Sequence, residues 1–166
     1  HKYYNLMEEK ELSLLHCIFF IYQTFASFSD GKLEDREQEA IIHFIKRWAA
    51  EDEELTRKVL DETAKWAEEN IQEAKQAIEY MSSMVDFINE QEDFNTHKKE
   101  IFLLDLRNIS RMDGHFHESE KKWHDLIAQQ LHIPIRISKN TQDQLQREVR
   151  NIEKRKPVGF RMSWQQ

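Results

Sequence analysis

The stretch "SRMDGHFHESE", residues 110–120, holds an Asp-Gly pair, two histidines and, seven positions after Asp113, the carboxylate of Glu120. A second stretch, "SFSDGKLEDRE", residues 27–37, has the same skeleton: Asp30-Gly31, an apolar Leu33, and Glu37 seven positions after the Asp. Asp-Gly reads as a helix stop, because glycine takes positive φ at no steric cost. Apolar runs with helical spacing lie on both sides of each stretch. Each therefore reads as the joint of a helical hairpin. A shift of 83 residues maps Ile18 onto Ile101, Asp30 onto Asp113, Gly31 onto Gly114, Leu33 onto Phe116, Glu37 onto Glu120 and Phe44 onto Ile127. The chain thus reads as two similar hairpins with further helices inserted between them.

Composition agrees with helices throughout. The 166 residues fit one domain with a sizeable core, and there are only 3 Gly and 2 Pro. Few breakers beside 33% charged residues favour long helices with solvated outer faces. Seven helices are expected. They cover roughly residues 5–27, 34–49, a third helix that follows the acidic run at 51–54 and ends near 68, then 71–89, 94–111, 117–131 and 139–154, with a short extended link at 133–137 around Pro134. The four acids at positions 51–54 suit the N-terminus of the third helix. The fold class is all-α: residues 1–135 form the helical domain, and residues 136–166 form a basic helix and tail.

Charge and cysteine content bound the function. A net charge of −7 argues against nucleic-acid binding by the domain, since phosphates need a basic face. The charge is uneven. Residues 136–166 carry eight Lys/Arg against three Asp/Glu, a net of +5, which leaves −12 for residues 1–135. That basic arm suits an acidic protein partner, or the domain itself. "LSLLHCIFFIYQTFASF", residues 12–28, is the most apolar run, but it is too short to span a bilayer comfortably. It reads as a core helix with Leu14, Ile18, Ile21, Tyr22 and Phe25 on one face. No membrane association is expected. A single cysteine, Cys17, excludes a disulfide within the chain and suits a reducing cytoplasm.

The chemistry lies in the carboxylates. Glu37 falls four residues after Leu33 and four before Ile41, and Glu120 falls four after Phe116. Both sit on the apolar stripe of their helix. Each hairpin thus aims a carboxylate inward at an equivalent point. Two carboxylates about 4 Å apart repel by roughly 4 kcal/mol at an effective dielectric near 20. A divalent cation, backbone N–H groups, basic side chains or protonation could offset this. The spacing D-G-x-φ-x-x-x-E also matches the back half of an EF-hand loop. The front half is absent: the first and third loop positions would be Ala26 and Phe28, or Ile109 and Arg111. None of these supplies a side-chain oxygen.

Over roughly residues 8–135 the chain resembles TerB-like domains, the tellurite-resistance protein B family. The resemblance rests on "SDGKLEDRE", "MDGHFHESE" and the order of helices around them. It implies an all-helical, pseudo-duplicated fold. It also implies a divalent-metal site at Asp30, Glu37, Asp113 and Glu120, and a non-enzymatic role in a stress or tellurite response. The chain departs from the family at Ser29 and Met112, where Ala is common, and at Glu34 and His117, where Ser or Thr is common.

All-carboxylate ligands favour Mg²⁺, Ca²⁺ or Mn²⁺. His115, His117 or His124 joining the shell would favour Zn²⁺, Mn²⁺ or Fe²⁺. A metal-free helical interaction scaffold is the second reading. The third is an HD-type metallophosphohydrolase built on His97, His124-Asp125 and Asp143. Its spacing fits poorly, and no nucleophile–base pair, phosphate-cradling Gly-rich loop or CxxC is evident. The expectation is a binding module rather than an enzyme.

Overall fold

A computed structural model describes residues 12–28, 35–112 and 118–134, together with Asp143 and Arg147, both helical. Among the described residues are six helices and no strand. They are α1 (Leu14–Ala26), α2 (Asp35–Trp48), α3 (Glu53–Asn70), α4 (Ala74–Asn89), α5 (Thr96–Arg111) and α6 (Glu118–Gln130). The chain is all-α. The start of the first expected helix, both Asp-Gly turns and nearly all of the basic segment lie outside the described residues.

Local sequence sets the helix ends. Ser13, Asp52 and Asn95 precede α1, α3 and α5, and each accepts the backbone N–H three residues on, at 3.5, 3.0 and 3.0 Å. The fourth helix begins at Ala74 rather than at the expected position 71. Ile71 is extended (φ −110°, ψ 116°), and Gln76 Oε1 accepts from the N–H groups of Gln72 (2.7 Å) and Glu73 (3.1 Å). A cap formed by Gln76 therefore sets the boundary, which apolar spacing alone does not register.

Helix α1 is the centre of the fold and packs against each of the other five. Every residue from His16 to Ala26 is buried. Periodicity suggests one inward face, but the structure also buries Cys17, Phe19 and Phe20, while Leu14 is only half-buried. A helix surrounded on all sides has no solvent face to keep polar. Edge-to-face contacts of Phe20 with Trp66 (5.5 Å) and of Trp66 with Tyr80 (4.8 Å) tie α1 to α3 and α4. Burial pushes the Cys17 thiol up to about 12, which makes it an unreactive core residue.

The two hairpins meet at Tyr22 and Asp105. These positions are 83 residues apart and so are equivalent under the sequence repeat. The Tyr22 hydroxyl and an Arg47 N–H both donate to Asp105 Oδ2. Trp48 Nε1 donates to Asp105 Oδ2 and to the Tyr22 oxygen, each at 3.0 Å. Among the described residues, no helix is long and apolar enough to cross a membrane.

Candidate functional site

Glu37 and Glu120 are both in the core. Glu37 is 3% exposed and shares the buried stripe of α2 with Ile41 and Ile45. Glu120 is 1% exposed and belongs to the buried side of α6 with Trp123, His124, Ile127 and Ala128. Both lie in the first turn of their helix, where the backbone dipole favours a negative charge. The flanks of the two stretches touch. Phe28, two residues before Asp30, stacks obliquely on Trp123, three residues after Glu120, at 5.1 Å between ring centroids. Asp30 and Asp113 lie outside the described residues, as do His115 and His117.

Among the described residues, no three His, Cys, Asp or Glu side chains are gathered where they could hold a metal ion. His97, His124, Asp125 and Asp143 are all described, so the HD-type set does not assemble. His97 is exposed on the first turn of α5, and His124 is buried in α6.

The contacts of His124 also bear on its suggested part in a metal shell. Arg107 Nε donates to His124 Nε2 at 3.0 Å, so the ring proton sits on Nδ1 and is given to Asp125 Oδ1 at 3.0 Å. Both ring nitrogens are engaged, and a guanidinium occupies the side a cation would need. Burial holds this imidazole below its ordinary value; Asp125 opposes that effect and the charge of Arg107 adds to it. Folding therefore favours the neutral ring. The stability this contributes is present above the unfolded value near 6.5, and it is lost as pH falls below it, because the unfolded chain then binds the extra proton. His124→Gln should flatten the acid-side loss between about pH 7.5 and 5.5. Urea unfolding at the two pH values measures this, and equal slopes for parent and variant would refute it.

Two polar groupings were not evident in the sequence. One is the Asp105 cluster, whose members lie on α1, α2 and α5. The other is at the start of α1. There the Ser13 hydroxyl lies 2.7 Å from His16 Nδ1, and His16 Nε2 lies 3.1 Å from Glu62 Oε1 on α3. Ser13 and His16 together form the capping box of α1. The i, i+3 spacing of Ser and His was the available signal; Glu62, 46 residues beyond His16, is brought in only by the fold.

Comparison of the chain with protein-family models, curated proteins and solved structures gives no match.

Proposed function

We propose that the chain is a TerB-like helical module that binds a divalent cation between its two hairpins. Asp30, Glu37, Asp113 and Glu120 supply the oxygens. The observation that supports this reading is the burial of Glu37 and Glu120 at equivalent positions of the repeat, with Phe28, just after α1, against Trp123 of α6. A doubly charged cation can meet two carboxylates at once, and a four-oxygen set suits Mg²⁺, Ca²⁺ or Mn²⁺. A role in a stress or tellurite response follows from the resemblance of the two motifs; a helical fold alone does not specify one.

Thermal unfolding of EDTA-stripped protein against a panel of divalent cations tests the proposal. A cation bound only by the folded state stabilises it by about 2.7 kcal/mol at a hundredfold excess over Kd. The midpoint should rise with one or more of the three hard cations. In Glu37→Gln/Glu120→Gln that rise should vanish. An unchanged rise in the double variant would place any cation elsewhere. No rise with any cation would favour the metal-free scaffold, with the basic C-terminal arm as its contact surface.

A further inference from the structure

At the N-terminus of α1 a serine and a histidine are joined in series with a glutamate of α3. Ser13 is exposed, His16 is 8% exposed and Glu62 is half exposed on its side chain. The three open onto a groove of about 490 Å³ between the start of α1 and one side of α3. Leu12, Leu55 and Val59 give the groove an apolar lining, and Lys58 and Lys65 also line it. Its size is in the range of small-ligand sites.

We propose that this groove is a hydrolytic site for esters of short apolar acyl chains, with Ser13 as nucleophile, His16 as general base and Glu62 as the group that orients His16. This departs from the non-enzymatic expectation, and it is independent of the cation site.

The tautomer is the one the chemistry requires. The Ser13 backbone N–H donates to His16 Nδ1 at 3.0 Å, so Nδ1 carries no proton at rest. The proton is on Nε2 and is donated to Glu62. The hydroxyl lies 2.7 Å from the same unprotonated nitrogen and shares its one lone pair with the Ser13 N–H. A hydroxyl, a base within hydrogen-bond reach and a third group that fixes the base are the elements of an activated serine. Ser13 is exposed, so water can take over its N–H when Nδ1 is protonated.

The helix supplies the remaining element. The first intrahelical bond of α1 runs from Cys17 N–H to Ser13 O, at 3.2 Å. The N–H groups of Leu14 and Leu15 precede that bond and have no helical acceptor. They lie directly after the nucleophile, where donors can meet negative charge on a reacting carbonyl oxygen.

The reaction balances with water as the second substrate. Ser13 Oγ bonds to the acyl carbon, its proton passes to His16 Nδ1, and the carbonyl electron pair moves to oxygen. When the carbonyl reforms, the bond to the alcohol breaks, and the alcohol leaves with the proton from Nδ1. Water then bonds to the acyl carbon and gives a proton to Nδ1. Ser13 Oγ leaves with that proton, and a carboxylic acid is released. The other proton stays on Nε2 throughout, donated to Glu62, whose carboxylate balances the charge of the transient imidazolium. Its half-exposed side chain screens that charge, which limits the site to activated esters.

The test is hydrolysis of p-nitrophenyl acetate and butyrate by the full chain with EDTA present, with mass spectrometry for an acyl group on Ser13. Ser13→Asn removes the nucleophile but keeps a good helix cap. His16→Gln removes the base but keeps a capping-box residue. The parent should exceed both variants by about 10²-fold or more in kcat/KM, and Glu62→Gln should lose roughly tenfold. A fluorophosphonate should label Ser13 of the parent. Equal rates in parent and Ser13→Asn, or acyl and phosphonyl adducts found only at other residues of the parent, would overturn the assignment.

Discussion

Arg47→Met is expected to cost about 2 kcal/mol of stability, less than the 3–5 kcal/mol that follows the loss of one partner of a fully buried ion pair, because the Arg47 side chain is 39% exposed. Asp105 is 1% exposed, and Arg47 supplies its only charged hydrogen bond among the described contacts. Removing the guanidinium leaves a carboxylate inside the core. The loss is not larger because two neutral donors stay in place, the Tyr22 hydroxyl and Trp48 Nε1. Tyr22 remains a donor at any ordinary pH. Its burial, then the charge and hydrogen bond of Asp105, hold its phenol well above the usual value. Adding Asp105→Asn removes the stranded charge and keeps an acceptor for both donors. The double variant should therefore be more stable than Arg47→Met alone, with a coupling of about 1 kcal/mol or more. Urea unfolding of parent, two single variants and the pair closes the cycle. If the single costs simply add, the pair does not hold the hairpins together. Arg47 lies on α2 and Asp105 on α5, so this ion pair spans the two halves of the repeat.

The same cluster shows where the sequence was informative. Helical spacing was legible because it acts over a few neighbouring residues. The second and sixth expected helices, at 34–49 and 117–131, agree with α2 and α6 to about one residue at each end. The inward aim of Glu37 and Glu120 was legible for a similar reason. Each lies four residues from an apolar neighbour, and each is buried. The same rule applied to "FLLDLRNI", residues 102–109, would have flagged Asp105, one turn after Ile101 and one before Ile109. Its partners could not be read, because Arg47 and Trp48 are more than 50 residues away and on another helix. His124 has a partner of the same kind: Arg107, 17 residues earlier on the packed α5, takes its Nε2. Phase within a helix gives direction, and a partner from another helix decides what that direction means.

The central place of α1 was also only half legible, and Phe20 tests it most directly. Phe20→Ala is expected to cost about 3–5 kcal/mol, the range for removing a buried aromatic ring from a packed core. For a chain of this size that lowers the melting midpoint by roughly 6–20 °C. On a helix with one buried face, Phe20 would lie off the stripe set by Ile18, Ile21, Tyr22 and Phe25, and its truncation would cost little. In this fold the ring is 0% exposed and meets Trp66 edge-on, and Trp66 in turn meets Tyr80. The cavity left by Ala is bounded by rings fixed on α3 and α4, so it cannot collapse easily. Phe44 on α2 is only half-buried and provides the comparison. Phe44→Ala should cost less than half as much, because solvent already reaches that side. Equal costs for the two substitutions would mean that α1 presents a face to water, and that the five-sided enclosure of this helix is wrong. A large difference would mean that α1 organises both hairpins at once. Glu37 on α2 and Glu120 on α6 would then owe their burial to a helix that carries neither of them, since both helices pack against α1.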